Sequence, residues 1–131
     1  MKFLQKFVFA FVLGLPMLPN AASAESLMFE YYATLSPRDT YNSKGAPLSD
    51  VCAIVQQDRA NVHRFGNPDG DPVDDFFTSP ERRSMITGKC IYDRKHHTVQ
   101  RIRNQVIGFV LVRVYGSGGS VSRVQIIEAA G

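Results

Sequence analysis

Residues 106–127 read VIGFVLVRVYGSGGSVSRVQII and decide the fold. The first ten, from Val106 to Tyr115, are almost continuously apolar and rich in β-branched side chains, which favour strands. The next four, GSGG, form a turn, and apolar and polar residues then alternate as far as Ile127. This pattern predicts a β-hairpin. Its first strand is apolar on both faces and is expected to lie centrally, and its second strand at or near an edge.

A further strand and the main helix are predicted upstream of the hairpin. Residues 27–35 contain aromatic side chains and alternate in polarity, which suits a strand. Residues 49–64 place apolar side chains at three- and four-residue steps, as in a helix that packs on a sheet. Ser49 or Asp50 can cap the start of this helix, and Gly66 stands where a left-handed C-terminal cap would lie.

A loop and a short helix are predicted between the main helix and the hairpin. Residues 66–80 contain three prolines and two glycines and are therefore expected to form a loop. The Phe76–Phe77 pair is expected to pin this loop to the core. A short helix is predicted over 80–86, and a short strand at 90–92.

The two cysteines of the chain, Cys52 and Cys90, are predicted to form one structural disulfide. Cys52 lies on the apolar stripe of the main helix, so the bond would tie that helix inward. A redox role is not indicated, because the chain has no Cys-x-x-Cys motif.

The predicted fold class is α+β. It consists of a small antiparallel sheet of about three to five strands that packs against one main helix and is cross-linked by one disulfide. The alternative is a small, partly open β-barrel with one helix, which would form if residues 90–103 contribute strands. No internal repeat or linker divides the chain, so residues 25–131 are expected to form a single globular domain.

The first 24 residues have the three regions of a secretory signal peptide. Two lysines and no acid precede a nine-residue apolar run, and Ala22 and Ala24 form a small-x-small cleavage motif. The run is less than half the length of about 20 residues that a membrane anchor needs. Because no cysteine lies in the ten or so residues after this run, a lipoprotein is not predicted. We expect cleavage after Ala24, no stable membrane insertion afterwards, and a periplasmic or secreted protein.

The charge is modest and unevenly distributed. The full chain has a net charge of +3, which falls to +1 when Lys2 and Lys6 are removed with the signal peptide. That value argues against a nucleic-acid-binding protein. Residues 25–81 carry ten acids and four bases, whereas residues 82–131 carry nine bases and two acids. The two halves are expected to pair across the fold or to form a two-faced surface.

The basic half suggests a surface that attracts an anionic partner in the cell envelope. The alternative is a solvated face that also pairs with the acidic loop. The candidate residues are Arg82, Arg83, Lys89, Arg94, Lys95, Arg101 and Arg103.

The acidic loop is a weak candidate for a calcium site through Asp69, Asp71 and Asp75. The EF-hand pattern fails, because Pro72 stands at its glycine position and Thr78 at its glutamate position. The loop is therefore interpreted as a solvated turn, and neither a metal nor another cofactor is predicted.

The histidines offer an enzymatic alternative. A small secreted hydrolase or ribonuclease could use His63 with His96 or His97 as base and acid. No motif fixes their geometry, however, and adjacent histidines in a strand point to opposite faces. The sequence therefore favours a non-enzymatic exported domain that binds a protein or an anionic envelope partner, with an inhibitor as one form of it.

Overall fold

The computed structural model describes residues 14–17, 24–92 and 98–129. A 3-10 turn at Pro37–Thr40 follows the first strand. The strands and helices are β1 (Ser26–Thr34), α1 (Val51–His63), α2 (Pro80–Ser84), β2 (Cys90–Tyr92), α3 (Thr98–Arg103), β3 (Phe109–Ser117) and β4 (Ser120–Glu128).

The described strands form one open sheet in the order β1-β3-β4-β2. β1 pairs with β3, and β3 with β4, in antiparallel fashion, while the short β2 runs parallel to β4. This confirms the predicted α+β class, with one main helix and one disulfide. The alternative of a partly open barrel is not what these residues form, because β1 and β2 lie at opposite edges.

One face of the sheet carries the core. Val110, Val112 and Val114 of β3 alternate toward it and are fully buried, as are Val124 and Ile126 of β4. Helix α1 packs on this face, and its Cys52, Ile54 and Val55 side chains belong to the same cluster. The apolar, β-branched residues of β3 and the alternation of buried and part-exposed residues from Val124 to Ile127 in β4 made the hairpin predictable from the sequence.

The disulfide Cys52–Cys90 is formed, with a Cα–Cα distance of 5.4 Å, and joins α1 to the beginning of β2. Helix α1 begins as predicted, because the Asp50 side chain accepts a hydrogen bond from the backbone N–H of Ala53. Gly66 has a positive φ of 82° just after the helix, a conformation that glycine adopts freely.

Three details differ from the sequence interpretation or add to it. The short helix at 80–86 ends at Ser84. β4 is flanked on its outer side by β2, although over only three residues. Helix α3, which the sequence did not indicate, buries only Ile102. A six-residue segment with a single buried apolar side chain has no periodicity that a sequence pattern could show.

The predicted signal peptide falls mainly outside the described residues, which include only 14–17 and Ala24 of it. Among the helices that the structure describes, none has the length and apolar character of a membrane span.

Candidate functional site

The outer edge of β1 is an unpaired strand edge within the described part of the chain. The backbone N–H of Leu35 donates to Gly108 O, on the β3 side, at 2.7 Å. The N–H of Thr34 points the other way and donates to Asp71 Oδ1 at 2.9 Å. Because backbone groups alternate sides along an antiparallel strand, the N–H and C=O groups of Glu30 and Tyr32 also face outward.

A pocket of about 580 Å³ lies beside this edge. One wall is formed by residues 29–32 of β1, and the other by residues 72–76 of the loop before α2. Its volume is in the range of sites that enclose a small ligand or a large side chain. The pocket therefore brings together an unpaired strand edge and a cavity.

Aromatic rings form the apolar part of the pocket and hold the loop against the strand. The Phe29 ring lies 5.5 Å from the rings of both Phe76 and Phe77, centroid to centroid. Phe77 is fully buried, which confirms that this pair pins the loop to the core. The guanidinium of Arg82 lies 4.8 Å from the centre of the Phe76 ring.

Asp74 fixes the shape of the loop. Its Oδ2 accepts hydrogen bonds from the backbone N–H groups of Phe76 and Phe77, at 2.9 and 2.6 Å. Its Oδ1 lies 3.0 Å from Arg59 Nη1 and 2.9 Å from His63 Nε2. Burial alone would raise the pKa of Asp74, but these hydrogen bonds outweigh it and the pKa lies below its ordinary value. The carboxylate therefore stays charged.

Arg59 is a fully buried cation behind the pocket. Its Nε donates to Asp58 Oδ2 at 2.9 Å, and its Nη1 donates to the carbonyl of Pro72 at 3.1 Å. The guanidinium also lies 4.1 Å from the centre of the Tyr31 ring, a cation–π contact. Burial alone would lower the pKa of Arg59, but the surrounding acidic groups, Tyr31 and Asp58 foremost, raise it. One guanidinium thus connects the helix, the strand and the loop.

The carboxyl groups around the buried Arg59 guanidinium, those of Asp58, Asp71 and Asp74, outnumber the cations there. Besides its hydrogen-bonded partners, Arg59 has Asp71 Oδ2 at 3.9 Å. Burial raises the pKa of Asp58 well above its ordinary value despite the adjacent guanidinium. The nearby carboxyl groups of Asp39 and Asp71 raise the pKa of Asp58 in the same direction. Burial also raises the pKa of Asp39, on the 3-10 turn, to about 6.

The pocket itself is lined by acidic but not by basic side chains: Glu30, Asp74 and Asp75. The Glu30 carboxylate is 47% exposed and forms a 3.0 Å ion pair with Arg113 on the neighbouring strand. Asp75 is exposed, and no ion pair links it to another described residue. Asp75 is therefore the one lining carboxylate that no described cation pairs with, and it leaves a negative charge at the mouth beside an apolar interior.

The predicted basic residues fall into different environments. Arg83 is buried and donates to Phe77 O, while Lys89 Nζ donates to Val121 O. Arg101 pairs with Glu128 at 2.7 Å, and Arg103 lies over the ring of Tyr41. Arg82 is exposed, whereas Arg94 and Lys95 lie outside the described residues. A common anion-binding surface stays a prediction.

The histidine and metal candidates are likewise only partly brought together. The His63 side chain is 7% exposed and contacts Asp74, an arrangement that supports a structural role. His96 and His97 lie outside the described residues. Of the acidic trio, Asp69 accepts from Ser36 Oγ and Asp71 from Thr34 N, whereas Asp75 is exposed.

Of the residues that shape the pocket, sequence reasoning singled out the Phe76–Phe77 pair and Asp75 but neither Arg59 nor Asp74. Arg59 stands at the same three- and four-residue steps as the apolar side chains of α1, and it pairs with the adjacent Asp58 at 2.9 Å. A charged residue on an apolar stripe was the available signal of a buried ion pair. Nothing in the sequence distinguishes Asp74 from Asp69, Asp71 and Asp75, which lie within five positions of it, so its structural role could not be predicted.

The site must be interpreted from its own geometry. Comparison of the chain with protein-family models, with curated proteins and with solved structures finds no match.

Proposed function

We propose that this protein is an exported, non-enzymatic domain that binds another protein, and that the pocket between β1 and residues 72–76 receives a side chain of that partner. The disulfide supports export, since such bonds persist in oxidising compartments. The expected signal peptide supports the same location.

The single observation that carries the proposal is a pocket whose walls are already held in place. Both walls are fixed by buried contacts: Asp74 shapes the loop, and Arg59 links that loop to α1 and to Tyr31. A preformed apolar pocket binds a partner without the entropic cost of ordering its own walls. Protein interfaces concentrate their binding energy in such pockets, which are filled by one large anchoring side chain.

The test uses two valines that are equally exposed, at 66% each. Val73 lines the pocket, whereas Val106 lies before β3 and outside it. The oxidised protein and its Val73→Arg and Val106→Arg variants would each capture proteins from the cell-envelope fraction at low and high salt. We expect the wild type and Val106→Arg to capture the same protein in equal amounts. With Val73→Arg, the captured amount of that protein should fall at least tenfold.

Equal capture by all three proteins would contradict the proposal. If that capture disappeared at high salt, the basic residues of the chain would instead carry the binding, as the alternative with an anionic partner predicts. Melting temperatures of both variants, compared with the wild type, establish that the folds are intact.

A further inference from the structure

We infer that the partner enters as an extended segment that adds a strand to the outer edge of β1, carrying a large apolar side chain close to Lys or Arg. This inference rests on the proposed function and names the chemistry of the ligand at the same pocket. Strand addition supplies affinity through backbone hydrogen bonds and specificity through the pockets that alternate side chains enter.

The backbone geometry gives the first argument. Glu30 and Tyr32 present outward N–H and C=O groups on an exposed stretch of strand, and both residues also line the pocket. The next outward N–H, that of Thr34, already donates to Asp71. The available edge is therefore short and matches a partner segment of about four residues.

The position of the pocket gives the second argument. The side chains of Phe29 and Tyr31 point toward the core side of the sheet, and the loop at 72–76 closes the pocket from that side. In an added strand, every second side chain would point to the same side. One such side chain would enter the pocket beside Phe29 and Phe76, where an aromatic or large aliphatic group fits best.

Charge gives the third argument. Asp75 lines the pocket with an exposed carboxylate that no described cation pairs with, and the Glu30 carboxylate, although paired with Arg113, is 47% exposed. A basic residue next to the apolar anchor would meet these groups at close range. A second copy of this chain, paired edge to edge, would instead bring the same acidic groups together, so self-association is disfavoured.

The probe is a displayed library of random nine-residue peptides, selected on the oxidised protein and counter-selected on Val73→Arg. We expect the enriched peptides to contain a large apolar residue with Lys or Arg within two positions of it. One enriched peptide is then synthesised in two forms, N-methylated at its odd or at its even positions. Because an added strand uses the N–H groups of one edge only, one form should bind at least tenfold more weakly and the other should retain its affinity.

A variant pair tests the strand itself. Both Glu30→Pro and Glu30→Gln remove the charge and the ion pair to Arg113. Only Glu30→Pro also removes an outward N–H donor, and it does so without removing a β1–β3 hydrogen bond. We expect Glu30→Pro to weaken the peptide at least tenfold and Glu30→Gln to weaken it severalfold and to reduce its salt dependence. The N-methylated peptides give an independent answer if Glu30→Pro does not fold.

The outcomes separate the two proposals. Peptides that discriminate against Val73→Arg but bind equally in both N-methylated forms would leave the pocket as the binding site and overturn strand addition. Enrichment of acidic peptides would overturn the charge argument. If no peptide distinguishes the wild type from Val73→Arg, the proposed function fails, and this inference fails with it.

Discussion

Arg59 contacts three separate parts of the fold with one guanidinium. It donates to Asp58 beside it on α1, lies against Tyr31 of β1, and donates to Pro72 O and to Asp74 in the loop. A lysine could not reproduce this set, because its ammonium lacks the planar fork that divides between several acceptors. The residue therefore sets the geometry of the pocket without lining it.

We predict that Arg59→Met lowers the free energy of unfolding by about 3–5 kcal/mol, because it leaves buried carboxylates without their cation. Denaturant unfolding at neutral pH measures this change. The control is Arg38→Met at an exposed position, which should stay within about 0.5 kcal/mol of the wild type. A loss below about 1 kcal/mol for Arg59→Met would show that the network is not held by this guanidinium.

Asp39 gives the protein an unusual dependence on pH. Its carboxyl is fully buried and has a pKa raised to about 6, so between about pH 4 and 6 the folded protein keeps a proton that the unfolded chain has released. We predict that the free energy of unfolding falls as the pH rises through this window, with a contribution from Asp39 of up to about 3 kcal/mol. Asp58, whose pKa is also raised, acts in the same direction.

Unfolding curves at pH 4.5 and 6.5 measure this fall, and Asp39→Asn should reduce it. Asp75→Asn, at an exposed position, should leave it unchanged. The lowered pKa of Asp74 acts outside this window, because the stability it contributes is lost only when the pH falls below its ordinary value. If the free energy of unfolding fell by the same amount in the wild type and in Asp39→Asn, this pH dependence could not be assigned to Asp39.

At the scale of elements, the hairpin depends on one glycine for close packing. Gly116 lies at a register shift in the β3–β4 pairing. A Cβ at this position would overlap the carbonyl oxygen of Ser120 and lie 2.7 Å from Met28 Sδ. The backbone of β4 therefore occupies the space that a side chain would need.

We predict that Gly116→Ala lowers the free energy of unfolding by about 1–3 kcal/mol through overpacking. Gly108→Ala is the control, since a Cβ there meets no atom within 4 Å. Denaturant unfolding of both variants measures the difference. Equal free energies of unfolding for Gly116→Ala and Gly108→Ala would show that β4 can move away from a Cβ at position 116 at little energetic cost.

The regular elements were predictable because their signals are local. β3 alternates side chains between two faces, and α1 has an apolar stripe with a capping aspartate, so pattern and propensity agree. Helix α3 had no such stripe. The pairing of β2 with β4 could not be inferred either, because three residues carry too little pattern to select a partner strand.

The candidate site was less predictable than the fold. Its walls come from segments about 40 residues apart in sequence, and the contact between them combines a buried ion network with the aromatic rings of Phe29, Phe76 and Phe77. The acidic loop was expected to be solvated or to pair with the basic half of the chain. Asp71 and Asp74 instead face Arg59, which belongs to the same half.

At the scale of the whole molecule, the two oppositely charged halves do meet across the sheet. Glu25 and Glu30 on the N-terminal side pair with Arg123 and Arg113 of the hairpin, at 2.9 and 3.0 Å. These pairs are partly exposed, so solvent screens them and each contributes little to stability.

We predict that the exported protein begins at Glu25 and carries the Cys52–Cys90 bond. Its intact mass should equal that of residues 25–131 minus two hydrogen atoms, and reduction should restore those two. Since the bond closes a separation of 38 residues, reduction should also lower the free energy of unfolding by about 4 kcal/mol. A product that retains residues 1–24, or one with two free thiols, would contradict the expected processing or oxidation.

The hydrogen bond from Thr34 N to Asp71 has a consequence for solubility. An exposed strand edge is a template on which further copies of a chain can stack into fibres. Here a carboxylate occupies the last outward donor of β1, so a docked strand cannot extend past Tyr32. The protein can thus keep one edge open to a short segment and still resist the open-ended growth of aggregates.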